Sequence, residues 1–120
     1  MPARPRVLVV EDEALLALTI AEELDDAGFA VVGPALSTHD ALGCLERPER
    51  CDIAVLDVNL GLGSSEPVAR ELAARGIPFI VMSGYSRAQL PASLQGMPHL
   101  RKPFTIEDLI AELHRLLQQA

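Results

Sequence analysis

Four short aliphatic runs punctuate this chain: Val7–Val10, Ala30–Val32, Ile53–Leu56 and Phe79–Met82, with a weaker fifth around His99–Arg101. None alternates apolar with polar residues. A strand open to water on one face alternates, whereas one covered on both faces does not. Between the runs lie longer amphipathic stretches. Glu13–Ala27 carries Leu16, Ile20 and Leu24 on one stripe and stops at Gly28. Ser37 is placed to cap a helix to about Glu46, with Asp40 three residues on. Ser65 is placed to cap a third, with Pro67 in its first turn and Gly76 at its end. Thr105 and Asp108 open a last helix, whose stripe is Ile106, Leu109, Ile110, Leu113, Leu116 and Leu117. Ser86–Gln95 makes a poor helix, because Pro91 sits inside it.

Five strands alternating with five helical stretches specify an α/β fold. With right-handed crossovers, the expectation is a flavodoxin-like (βα)5 doubly wound parallel sheet of strand order 2-1-3-4-5. The 120 residues, 49% of them hydrophobic and only 3% aromatic, suffice for one domain, 1–120, with an aliphatic core.

Composition narrows the function classes. A net charge of -7 disfavours direct nucleic-acid binding and anionic membranes, since both need clustered Lys and Arg. The sequence has no signal-peptide pattern and no run long enough to span a bilayer, so a cytoplasmic protein is expected. Cys44 and Cys51 lack the spacing of a zinc site and read as small core or surface residues. His39 and His114 fall in helical stretches and read as surface residues. Gly61–Gly63 lacks the Gly-Lys-Ser/Thr of a phosphate loop and reads as a flexible connection.

In such sheets ligands bind beyond the carboxyl ends of the strands, where the strand order reverses. There the sequence places Glu11 and Asp12 after the first strand, Asp57 at the end of the third, Ser83 after the fourth and Lys102 after the fifth. Carboxylates about 5 Å apart at an effective dielectric near 20 repel by roughly 3 kcal/mol per pair, more than one lysine offsets. An all-oxygen site of this kind suits Mg²⁺. The expected ligands are Asp12, Asp57, the backbone carbonyl of Asn59 and water, with Glu11 acting mainly through bound water. A carboxylate beside Mg²⁺ and lysine is a nucleophile for a phosphoryl group. Asp57 is therefore expected to be phosphorylated, with Lys102 and Ser83 binding the arriving phosphoryl.

The set "VLVVEDE", "VLDVNL", "VMSGY" and "RKPF" resembles the receiver domain of two-component response regulators, from about Arg6 to Leu117. The resemblance implies a phosphoacceptor switch rather than a metabolic enzyme. Asp57 would take its phosphoryl from a phosphohistidine on a histidine kinase or phosphotransfer protein. Glu11 and Asp12 would hold Mg²⁺, and a cis Lys102–Pro103 peptide would aim the ammonium inward. By the same analogy helix 1 meets the kinase. The face of helix 4, strand 5 and helix 5 meets a downstream protein target or a second copy of the chain.

The sequence departs from the common pattern in three places. His99 stands where many receivers carry Tyr or Phe, three residues before the lysine. The lone tyrosine, Tyr85, follows Ser83 by two, and "PFIVMSGYS" looks like the subgroup with a Phe-Ala-Thr-Gly-x-Tyr type of motif. The loop "NLGLGSS" lacks the proline common after the phosphorylated strand. These departures lead us to expect that the Ser83–Tyr85 loop carries the signal about Gly84, with His99 in a structural or gating role. A phosphorylation-independent scaffold on the same fold is the alternative. A haloacid-dehalogenase type of hydrolase lacks its second Asp and room for a cap domain.

Overall fold

The computed structural model describes residues 4–47, 50–60 and 63–119, the side chains of residues 59, 60 and 63 aside. Among the described residues seven strands form: β1 Arg6–Val10, β2 Ala30–Ala35, β3 Ile53–Asp57, β4 Asn59–Leu60, β5 Gly63–Ser64, β6 Phe79–Ser83 and β7 His99–Arg101. The helices are α1 Ala14–Asp26, α2 Thr38–Leu45, α3 Glu66–Ala74 and α4 Ile106–Gln119. Five strands make one parallel sheet in the order β2-β1-β3-β6-β7, the expected 2-1-3-4-5. The short β4–β5 ribbon, antiparallel and outside that sheet, is unforeseen by the sequence reading.

Alternation along the buried strands divides the core between two sheet faces. Val7, Val9, Ile53, Val55, Ile80 and Met82 pack against Ile20 and Leu24 of α1 and Leu109, Leu113 and Leu116 of α4. Leu8, Val10, Ala54, Leu56 and Val81 point the other way, onto α2 and α3. This double cover is why the runs show no polar alternation. Burying each leucine of the α4 stripe contributes roughly 1.5–3 kcal/mol. Cys44 and Cys51 are free thiols in the second of these clusters. Both His39 and His114 are exposed, and His114 stacks on Phe29 with ring centroids 5.4 Å apart.

Local signals act as expected at four helix boundaries. The Ser37 hydroxyl accepts from the Asp40 N–H at 3.0 Å. The Thr105 hydroxyl accepts from the Asp108 N–H at 3.1 Å. Gly28 and Gly76 take φ of +100° and +69° just past α1 and α3, where a Cβ would be strained. Ser65 differs. It is buried, and its hydroxyl donates to the Val58 carbonyl at 2.9 Å, so it closes the β4–β5 ribbon instead of capping α3 by its side chain.

The fourth crossover is not an α-helix. Two 3-10 turns, Arg87–Gln89 and Ala92–Leu94, flank Pro91. The ring of Pro91 removes a donor and blocks a continuous helix, so the segment anchors through Leu90 and Leu94, which are buried. Among the described residues two X-Pro peptides are cis: Lys102–Pro103, as expected, and Gly33–Pro34, which the sequence reading did not anticipate.

Candidate functional site

Parallel register levels the strand ends. Val10 pairs with Leu56, so the next residues, Glu11 and Asp57, leave the sheet side by side. Asp57 pairs with Met82, and Ser83 with Arg101, which carries the level across to Lys102. The crevice lies between β1 and β3, where the chain reverses its winding direction.

Glu11 is 1% exposed. Its backbone N–H donates to the Ala35 carbonyl at 3.0 Å, which ties the turn after β1 to the end of β2. Its carboxylate accepts from the Lys102 ammonium at 2.9 Å and from the Glu13 N–H at 3.2 Å. Asp57 is 7% exposed. Lys102 Nζ stands 3.5 Å from its Oδ1, so one ammonium sits between two carboxylates. The Lys102 N–H donates to the Ser83 carbonyl at 2.7 Å, which fixes the start of the lysine loop. Asp12 is exposed at the start of α1, and one oxygen each from Glu11, Asp12 and Asp57 all lie within 4.8 Å of one another. The backbone of Asn59 opens β4, two residues past Asp57; its side chain lies outside the described part of the structure.

The electrostatics follow from this crowding. Burial pushes the Asp57 carboxyl up, and its hydrogen bond to Glu11 and the charges of Glu11 and Asp12 push it further, to about 7, against the pull of Lys102. Glu11 goes the other way. Burial would raise it, but Lys102, the Glu13 N–H and the hydrogen bond with Asp57 together hold it below the ordinary value. Asp57 is therefore the carboxyl of the pair that takes up a proton first as pH falls through about 7. Burial disfavours the charged form of Lys102, but the two carboxylates outweigh it and keep the ammonium above the usual lysine range.

Ser83 is 2% exposed. Its hydroxyl accepts from the Tyr85 N–H at 3.1 Å, lies 3.1 Å from the Tyr85 carbonyl and 2.9 Å from His99 Nε2. The sequence reading placed His99 on the fifth strand without seeing this bond. Its only signal was the spacing that sets β7 beside β6.

The response regulator receiver domain is the family description that matches residues 7–114. The chain belongs to this family. Among curated relatives, the transcriptional regulatory protein PdtaR of Mycobacterium tuberculosis is 34% identical over 88% of the chain and 53% of its own length. CutR of Streptomyces coelicolor is 33% identical over 92% of the chain and 52% of its own length. The receiver chain thus spans about half the length of these relatives. The solution structure of SdrG from Sphingomonas melonis Fr1 has a TM-score of 0.80 and 38% identity, covering 98% of this chain and 99% of that one. A response regulator receiver protein from Sinorhizobium medicae WSM419 has a TM-score of 0.82 and 28% identity, covering 96% and 95%. This chain is a receiver domain of the response regulator type.

Proposed function

We propose that Asp57 is the residue phosphorylated, that Glu11, Asp12, Asp57 and the Asn59 carbonyl hold Mg²⁺, and that residues 1–120 act as one receiver unit. The observation that carries this reading is the trio of carboxylates within 4.8 Å, served by a single ammonium. The donor set fits the ion. It is all oxygen, and three carboxylates within 4.8 Å carry more negative charge than the one ammonium offsets. When bound, Mg²⁺ supplies the positive charge that lets Asp57 ionise at neutral pH and that balances phosphoryl oxygens.

The chain's own groups do the rest. An oxygen of ionised Asp57 attacks phosphorus in line. The new O–P bond forms as the bond to the donor imidazole breaks, and the imidazole keeps the electron pair. Lys102, held between Glu11 and Asp57, donates to a phosphoryl oxygen. The Ser83 hydroxyl donates to another. The chemistry ends there, apart from slow hydrolysis, so the chain is a switch and not a turnover enzyme.

The donor we propose is a histidine kinase or phosphotransfer protein in the cytoplasm. Leu15 and Leu18, 74% and 52% exposed on α1, give it an apolar footing beside the site. A downstream protein target, or a second copy of the chain, meets the face of the 3-10 segment, β7 and α4. No helix among the described residues is long and apolar enough to cross a membrane.

The test is incubation with Mg²⁺ and acetyl phosphate, read by intact mass. A single added phosphoryl group, absent in Asp57→Asn and without Mg²⁺, is the expected result. No adduct in the folded wild type overturns the reading in favour of a phosphorylation-independent scaffold.

A further inference from the structure

The Ser83 hydroxyl has one proton and several claimants. Its oxygen already accepts from the Tyr85 N–H. Its proton has two destinations within reach, the Tyr85 carbonyl at 3.1 Å and His99 Nε2 at 2.9 Å. A phosphoryl oxygen only accepts, so Ser83 can bond one only by redirecting that proton. His99 decides how hard this is. A neutral imidazole offers Nε2 as donor or acceptor according to tautomer, whereas an imidazolium can only donate.

We infer that His99 is a positioning residue that gates Ser83: with Nε2 bare it competes for the serine proton, and with Nε2 protonated it donates to Ser83 Oγ and frees that proton for the phosphoryl group. This rests on the reading of Asp57 as phosphoacceptor. It makes the lifetime of the phosphorylated state sensitive to acidity through a residue that touches neither the phosphoryl nor the carboxylate trio.

The surroundings favour the neutral imidazole at neutral pH, whose Nε2 is bare in the Nδ1–H tautomer. His99 is half-buried on β7. Desolvation comes first, then the positive charges of Arg87 from the first 3-10 turn and of Arg101 on its own strand, and together they hold the imidazole below its ordinary value. Among the described residues these two arginines are the charges that act on it. The end of the neighbouring β6 and the loop after it present Ser83 and the Tyr85 backbone. The cation of Lys102 is taken up by Glu11 and Asp57. Protonation of His99 therefore belongs to mildly acidic conditions, where the gate opens.

The experiment loads Asp57 with acetyl phosphate and Mg²⁺, removes the donor, and follows adduct lifetime by intact mass from about pH 8 to about pH 5, the range in which histidines titrate. Wild type is compared with His99→Phe, which keeps a ring without hydrogen bonds, and with His99→Gln, which keeps polar contacts without titrating. The wild-type lifetime relative to either variant should lengthen on acidification by about two- to tenfold, the factor one hydrogen bond commands. In a Ser83→Ala background that pH dependence should vanish. Imidazole nitrogen shifts should show His99 titrating within the same window. A ratio flat in pH, or the same pH dependence without Ser83, overturns the inference while leaving Asp57 as acceptor. Absence of any adduct in wild type overturns the phosphoacceptor reading itself. If His99→Phe does not fold, the comparison with His99→Gln decides alone.

Discussion

Glu11 and Asp57 share one ammonium, and the three groups pull stability in different directions as pH changes. Asp57 binds its proton more tightly folded than unfolded. Between its ordinary 3.8 and about 7 the folded state keeps a proton that the unfolded chain has lost, so this group lowers stability as pH rises through that window. Glu11, held below its ordinary 4.5, contributes stability that is present above that value and lost as pH falls through the folded value. Lys102 contributes fully below its ordinary 10.5 and loses that contribution only as pH rises through its higher folded value. Thermal melts in metal-free buffer should therefore show wild type losing stability between weakly acidic and neutral pH. Asp57→Asn, which cannot ionise, should be more stable than wild type at neutral pH by about 2–4 kcal/mol. An unchanged melting profile in that variant would count against the raised carboxyl. Lys102→Met should cost about 1.5–3 kcal/mol by unfolding titration, because it leaves the buried Glu11 carboxylate without its charged partner.

Elements differ in how firmly they are held. The α4 helix sends Leu109, Leu113 and Leu116 into the core, and Leu113→Ala should cost about 2–5 kcal/mol in denaturant titrations. The 3-10 segment between β6 and β7 buries Leu90 and Leu94, and most of its side-chain bonds run back to itself, such as Arg87 to the Gln95 and Met97 carbonyls. One reaches across, from the Ser93 hydroxyl to the Glu66 carboxylate at 2.7 Å. Its amides should exchange with solvent well ahead of those in α4 by hydrogen–deuterium exchange; equal protection would contradict this ranking. The sequence showed this weakness through Pro91, whose effect is local. It showed the long helices through their stripes, because burial on one face is periodic. Ser65 was misjudged for the opposite reason. A serine before a helical pattern signals a cap, but its hydroxyl bonds Val58 across a ribbon that no local periodicity announces.

At the scale of the whole molecule, topology turns four separated motifs into one site. The strand runs revealed the doubly wound sheet, and strand order then forced Glu11, Asp12, Asp57 and Lys102 to one edge. Side-chain aim was not legible in this way. Nothing in the order of residues says that Ser83 turns to His99, since that depends on how β6 and β7 pair and on the loop through Tyr85. Leu15 and Leu18 are exposed on α1, the helix that follows Glu11 and Asp12, where we propose that the phosphodonor docks. Leu15→Ser with Leu18→Ser should slow transfer from a protein phosphodonor several-fold, as loss of apolar anchors does, and leave labelling by acetyl phosphate unchanged. Equal slowing with both donors would place the defect in the site instead. The central claim is that this crowded edge holds a proton on Asp57 only until a divalent cation takes its place. Carbon-13 titration of the Asp57 carboxyl, with and without Mg²⁺, tests it most directly. The account predicts a midpoint near 7 without metal and a marked fall on adding Mg²⁺; a midpoint at the ordinary carboxylate value, indifferent to Mg²⁺, would contradict it.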